Sequence, residues 1–503
     1  MGIESMRHLL CFMLAATWML QSCAQSPLDT WAEEHGVLGF SVSVATESGP
    51  TTTWTGGLRD VEAQLPVNAA TTFRVASISK AAVAVGFFKL WANCEIGLDD
   101  DINDVLGNTL TAPVLHPQHP STPLTPRMLL SHTSGLRDGS GYSDFLSSTY
   151  NASSGSDTPT VLDVLSPTGA HYTADMWVTE PGTYFAYANL NFGLLATVME
   201  AVTQTRFDVW MRDEVFSPLN MNASFAVQDL ASIENLAVLY RHVDDWIPQV
   251  DNYSGIMPAA PDLTGYALGT NAARFSPQGG LRSSAPDLLT LVNEWVALTS
   301  GGTTSQLLPP PAVQALREES WSFDGSNGSN YGGLFEAWGL GLHVDEFESE
   351  SHPTSGQNAT AWGHPGEAYG LISGAYHVVT SDGCRWKFAY LVNGMNPEPN
   401  LGEGGWYSVE NELHDILGQW ANASCSTSQL HDQDFTPRPR RHHLRSGQKR
   451  PADLVCTPCV WTDWQGRMAH QTRQDPWLAP SLPAGHYVLT EHGMVVGTVL
   501  LTP

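Results

Sequence analysis

Ser77 and Lys80 stand three residues apart in the segment Phe73-Arg74-Val75-Ala76-Ser77-Ile78-Ser79-Lys80, and the apolar run Ala81-Ala82-Val83-Ala84-Val85-Gly86-Phe87-Phe88 follows at once. As a helix, this run places Ser77 at the first turn and Lys80 on the same face, amine beside hydroxyl. A serine hydroxyl is a poor nucleophile near neutral pH, and a lysine amine takes its proton once burial lowers the amine's pKa. The helix N-terminus adds partial positive charge and free N–H groups where an attacked carbonyl would sit. The same spacing recurs at Ser446-Gly447-Gln448-Lys449, but in a stretch rich in Arg, Pro and His with no apolar run to bury it. Lysine otherwise occurs only at Lys89 and Lys387, so Lys80 ahead of an apolar helix is not an ordinary solvating residue.

Two further segments carry groups that suit an acyl-transfer site. Pro181-Gly182-Thr183-Tyr184-Phe185-Ala186-Tyr187-Ala188-Asn189 offers a phenol and an amide two residues apart after a Pro-Gly turn. In extended backbone both point the same way, so Tyr187 can shuttle protons while Asn189 holds a substrate amide or positions Lys80. Trp362-Gly363-His364-Pro365-Gly366-Glu367-Ala368-Tyr369-Gly370 is glycine-spaced and stands just before a strand, which lets a substrate lie close to the backbone.

The elements that must position these groups follow from periodicity. Gly39 to Ala45 alternates as a strand, with Thr51 to Gly56 as its hairpin partner. The nucleophile helix is expected to end near Asn93. Between Pro126 and Val202, helical patches alternate with Gly/Ser-rich loops, read as a loop-rich insertion overhanging a site. Ala285 to Trp295 reads as an amphipathic helix with Pro286 in its first turn. Trp338 to Val344, Leu371 to Val379 and Trp386 to Val392 read as strands, and Ser408 to Trp420 as a final helix. Strands at both ends with helices between them imply one sheet assembled from distant parts of the chain.

Whole-chain properties set the limits. The 503 residues suffice for a large catalytic domain plus something smaller. A formal net charge of −28 argues against nucleic acid as a partner. Residues 1–24 read as a targeting segment: Arg7 and His8, the apolar run Leu9 to Leu20, then Ser22, Cys23 and Ala24. One route makes Cys23 a lipidated first residue and the other cleaves after Ala24; both export the mature protein to the cell envelope or beyond. Export makes disulfides available to Cys94, Cys384, Cys425, Cys456 and Cys459, with Cys456-Thr457-Pro458-Cys459 a local disulfide or half a metal site. Asn-x-Ser/Thr sequons occur at Asn151, Asn222, Asn252, Asn327, Asn358 and Asn422. Residues 25–424 are expected to form the catalytic domain, 425–450 a polar and basic linker, and 451–503 a small strand-rich segment with a hairpin across Tyr487–Thr490 and Val495–Leu500.

Taken together, Ser77-Ile78-Ser79-Lys80, Tyr187-Ala188-Asn189 and His364-Pro365-Gly366, in that order, resemble the serine β-lactamase-like family of class C β-lactamases, D-Ala-D-Ala carboxypeptidases, D-amino-acid peptidases and related esterases. Leu129-Leu130-Ser131-His132-Thr133-Ser134-Gly135-Leu136, Gln278-Gly279-Gly280-Leu281 and Trp338-Gly339-Leu340-Gly341 add to the resemblance, which covers roughly residues 30–421. It implies an α/β fold of the α+β type: an antiparallel sheet flanked by helices, a mostly helical subdomain and, beyond the resemblance, the strand-rich appendage. It also implies that Ser77 is the acylated nucleophile, that Lys80 and Tyr187 act as base and then acid, and that Asn189, His364, Gly366 and Glu367 meet the substrate. The backbone N–H groups of Ser77 and Glu367 would form the oxyanion hole, with no metal or cofactor required. The third motif opens with histidine where the β-lactamases carry lysine, and an imidazole is mostly neutral near pH 7. That favours a small ester, amide or peptide substrate over a β-lactam. The rivals are a penicillin-recognising carboxypeptidase or β-lactamase, and a catalytically idle scaffold. Neither a Gly-x-Ser-x-Gly elbow nor a His-x-His-x-Asp-His cluster is present.

Overall fold

The computed structural model describes residues 26–426 apart from 48, 299–300, 348–357 and 398, together with the backbone of strands between 459 and 501. The expected leader, most of the expected linker, Cys456 and the Ser446–Lys449 pair lie outside the described residues.

The described residues begin with helix α1 (Pro27–Glu34), then strands β1 (Gly39–Thr46), β2 (Thr52–Asp60) and β3 (Leu65–Pro66). Helix α2 (Ile78–Ala92), α3 (Tyr142–Tyr150), α4 (Asn189–Thr203), α5 (Ala285–Val292) and α6 (Pro310–Arg317) follow. Strands β4 (Trp321–Ser322), β5 (Ala337–Trp338), β6 (His343–Phe347), β7 (Ala359–Ala368), β8 (Leu371–Thr380) and β9 (Arg385–Asn393) lead to helix α7 (Ser408–Ser426). One nine-stranded sheet runs β3-β2-β1-β9-β8-β7-β6-β5-β4. Its antiparallel centre joins segments more than 330 residues apart in sequence, with β1 against β9 from Gly39↔Asn393 to Thr46↔Trp386.

Two apolar layers cover the sheet. On one face α1 and α7 bury Leu28, Trp31, Leu413 and Leu417 against Phe40, Val42, Tyr376 and Tyr390. On the other face α2 and the helical region between 96 and 240 form the larger core. Helix α2 is apolar all round and thirteen of its residues are buried, Lys80 among them, as expected of a helix at the centre of a core. A disulfide joins Cys384, at the turn between β8 and β9, to Cys425 near the end of α7. Helix α7 thus continues two residues past the expected domain boundary at 424.

Two expectations for the sheet change. The expected strand Trp338–Val344 is two strands, because Gly339 to Leu342 turns the chain and pairs His343 back onto Trp338. Gly341 there has φ 91°, which favours glycine. The glycine-spaced segment expected before a strand is itself most of β7, paired with β8 from Ala359↔Thr380 to Ala368↔Leu371. The two-residue turn Tyr369-Gly370, with φ 58° and 83°, suits a tight hairpin. Further along the chain, β10 (Cys459–Asp463), β11 (Met468–Thr472), β12 (Gly485–Glu491) and β13 (Met494–Leu501) form a separate sheet in the order β11-β10-β12-β13. Its β12–β13 hairpin contains the expected pair of segments.

Candidate active site

Ser77 caps α2, and the residue before it, Ala76, takes a left-handed conformation with φ 51°. A non-glycine residue there carries backbone strain. Ser79 holds the turn: its hydroxyl donates to the Ala76 carbonyl (2.7 Å) and accepts from the Leu281 N–H (3.1 Å). Ser373 on β8 donates to the Val75 carbonyl (3.0 Å) and to the Gly366 carbonyl (3.2 Å), tying the start of α2 to the end of β7.

Lys80 is fully buried, and its Nζ donates to Ser77 Oγ (3.0 Å), Asn189 Oδ1 (2.7 Å) and the Gln278 carbonyl (2.8 Å). Burial pushes its pKa down to about 7, and the charge of Asp138 acts against that fall. The Nζ also lies 4.9 Å from the Tyr187 ring centre. The Tyr187 hydroxyl is hydrogen-bonded to the Ser77 side chain, but burial prevails and pushes the phenol's pKa up. At neutral pH, therefore, the lysine is partly a free base and the tyrosine keeps its proton.

Asn189 opens α4 rather than ending a loop, and Ala188 before it is extended. Asp138, which sequence chemistry did not single out, accepts hydrogen bonds from Asn189 N (2.9 Å), Asn189 Nδ2 (2.8 Å) and Leu190 N (2.9 Å). It satisfies the open N–H groups of this helix from a loop fifty residues earlier. No local spacing reveals that.

A cavity of about 500 Å³ opens onto Ser77, Tyr187 and Asn189. Tyr142, Tyr150, Tyr331, Phe335 and Trp406 give it aromatic walls, and Pro365 to Ala368 of β7 form one side. Its charged lining is Arg74, Glu367 and Glu410. Burial pushes Glu410 up to about 7 despite bonds from the Tyr390 hydroxyl (2.6 Å) and the Tyr407 N–H (3.3 Å). Glu367 is exposed and accepts from the Tyr407 hydroxyl (2.9 Å).

His364, expected to meet the substrate, is fully buried and is not part of the cavity lining. It packs behind the wall against Trp338 (5.3 Å) and Tyr187 (6.1 Å), ring centre to ring centre. Its Nδ1 donates to the Pro365 carbonyl (2.5 Å), and burial holds it neutral. Alternation along β7 explains this: His364 and Gly366 face α2, while Glu367 faces α7. A second buried neutral imidazole, His132, lies 4.4 Å from the Tyr187 ring, its Nδ1 accepting from the Ala188 N–H (3.2 Å). Among the described residues, no group of three or more His, Cys, Asp or Glu is placed to hold a metal ion.

Comparison with known proteins places this geometry in context. A family model described as Beta-lactamase matches residues 22–410. A penicillin-binding protein of Bacillus subtilis (strain 168) is 22% identical over 212 residues, 42% of each chain. The human protein named putative beta-lactamase-like 1 is 28% identical over 284 residues, 55% of this chain and 49% of its own length. The chain thus matches less than half the length of these curated relatives. Among solved structures, D-amino acid amidase from Ochrobactrum anthropi SV3 aligns with a TM-score of 0.56 at 19% identity, covering 80% of this chain and 98% of that one. The octameric penicillin-binding protein homologue from Pyrococcus abyssi aligns with a TM-score of 0.52 at 18% identity, covering 79% and 76%. At these identities the structural likeness is one of fold.

Proposed function

The chain belongs to the β-lactamase family, and from that premise we propose that it is an exported serine hydrolase that forms an acyl-enzyme on Ser77 and hydrolyses a small ester or amide. The observation that carries this reading is the buried Lys80 amine, 3.0 Å from Ser77 Oγ with its pKa near 7. As a free base it takes the hydroxyl proton while Oγ attacks the substrate carbonyl. The N–H groups of Ser77 and Glu367 hold the resulting oxyanion, each such donor contributing about 3 kcal/mol to the transition state. Tyr187 gives its proton to the departing oxygen or nitrogen and regains one from the Lys80 ammonium, so both groups return to their starting states while Asn189 holds the lysine. Water then attacks the acyl-enzyme by the reverse proton path, releasing the acid and freeing Ser77.

The cavity supports an ester or amide over a substrate with a free carboxylate. Of its ionisable lining, Arg74 is the one basic group, Glu367 is acidic and exposed, and Glu410 is in part protonated near pH 7. Buried, neutral His364 supplies no positive charge in the third motif. Export is supported by the leader-like first 24 residues and by the Cys384–Cys425 disulfide, which suits an oxidising compartment. Cleavage after Ala24 and lipid attachment at Cys23 both satisfy it.

The test is a panel of p-nitrophenyl esters, D-aminoacyl amides and nitrocefin with the mature protein and its Ser77→Ala variant. The reading expects ester or amide turnover that disappears in the variant and exceeds nitrocefin turnover at least tenfold. Nitrocefin as the best substrate would move the protein to the penicillin-recognising branch. Failure of every acyl probe on folded protein would point to an idle scaffold.

A further inference from the structure

The amide of Asn189 must point one way for Lys80 to be held as it is. Its Oδ1 faces Lys80 Nζ at 2.7 Å and its Nδ2 faces Asp138 Oδ2 at 2.8 Å. A flipped amide would offer N–H groups to an ammonium and a carbonyl to a carboxylate, and both contacts would be repulsive. Asp138 also accepts from the N–H groups of Asn189 and Leu190, so its own carboxylate is fixed from two directions. No hydrogen bond joins it to Ser77 or Lys80 among those seen, so its action on the pair passes through Asn189 and through its charge.

We propose that Asp138 is a positioning residue for proton transfer at Ser77: it locks Asn189 as the acceptor for Lys80 and supplies the negative charge that balances the lysine's ammonium. The inference rests on reading Ser77 and Lys80 as nucleophile and base. Burial lowers the Lys80 pKa and Asp138 is the group that opposes it. The other titratable groups around Lys80 are the Tyr187 phenol and the imidazoles of His132 and His364, whose pKa values burial and the lysine's charge push down. Around Asp138 stand the phenols of Tyr142, Tyr187 and Tyr331, each pushed up by burial first and then by the aspartate's charge. Burial pushes the Asp138 pKa itself up, and the hydrogen bonds from Asn189 and Leu190 together with the Lys80 charge oppose that rise, so Asp138 and Lys80 each hold the other's charge.

The experiment measures the second-order rate of fluorophosphonate labelling from pH 5.5 to 9.5 in the full chain and in Asp138→Asn, Asp138→Glu, Asn189→Ala, Asp138→Asn/Asn189→Ala and Ser77→Ala. Asp138→Asn should lower the plateau about 10- to 100-fold. It should also move the acidic limb to lower pH by at least about half a unit, because the ammonium loses its anion. In the Asn189→Ala background the same change should lower the plateau less than about threefold, since the positioned amide is already gone. Asp138→Glu keeps the charge, so its limb should stay near that of the wild type while its rate falls. If Asp138→Asn loses its cooperative melt, Asp138→Glu decides: a wild-type rate overturns the positioning role and a reduced rate with an unmoved limb supports it. An unmoved limb in folded Asp138→Asn, or additive losses in the double variant, also overturns the proposal. Labelling of Ser77→Ala would overturn the underlying site reading instead, so the two failures are distinguishable.

Discussion

Replacing Gly366 with alanine puts one methyl group where the end of β7 meets the start of α2. A Cβ there would lie 2.4 Å from Ser373 Oγ, 2.9 Å from the Val75 carbonyl oxygen and 3.1 Å from the Ser77 nitrogen. The Ser373 hydroxyl can rotate away, giving up its bonds to Val75 and Gly366, but the two backbone atoms cannot. Restoring ordinary van der Waals separation requires β7 to withdraw from α2 by roughly half an ångström. The Glu367 N–H moves with the strand, away from the oxyanion that it and the Ser77 N–H are proposed to hold. Loss of one such donor costs about 3 kcal/mol, or roughly 150-fold in rate. The assay is the burst phase of p-nitrophenyl ester hydrolysis, with a thermal melt to establish that the variant is folded. Acylation within about threefold of wild type in a folded variant would refute the placement of the oxyanion hole between β7 and α2.

Lys80 acts as a base only when neutral, and its pKa is brought down to about 7. Acylation should therefore rise about tenfold per pH unit below 7 and level off above it, and a limb near pH 10 would contradict the burial argument. The buried pair Arg282–Asp251 (2.7 Å) predicts that Arg282→Ala, which strands a buried carboxylate, loses about 3–5 kcal/mol in a denaturant melt. A loss below about 1 kcal/mol would contradict it. Reducing the Cys384–Cys425 disulfide, which spans a sequence separation of 41, should remove about 2–4 kcal/mol of stability and lower the melting temperature. An unchanged melt would show that the cross-link adds nothing.

Sequence legibility followed local pattern. Helix α2 is a dense apolar run, β1 alternates Phe40, Val42 and Val44 with serines, and β8 and β9 are rich in apolar and aromatic residues, so their limits lie within about two residues of expectation. Strand β7 was hidden because Gly363, Pro365 and Gly366 carry loop chemistry, and only pairing to β8 along its whole length makes it a strand. The turn at Gly339–Leu342 was masked by the apolar residues on either side. In the site, Ser77, Lys80, Tyr187 and Asn189 are brought together as their chemistry suggested. Side-chain direction was the illegible part: His364 faces the core because of strand register, a property of the whole sheet. Asp138 was invisible for a related reason, since it acts across fifty residues on a helix whose start was itself read as loop.

The central claim is that Ser77 becomes acylated. Rapid-quench intact-mass measurement during turnover of a slow p-nitrophenyl ester, followed by peptide mapping, tests it most directly. The account predicts one acyl group per chain, on the peptide carrying Ser77, and none in Ser77→Ala. An adduct on another residue, or equal acylation of the variant, would contradict it.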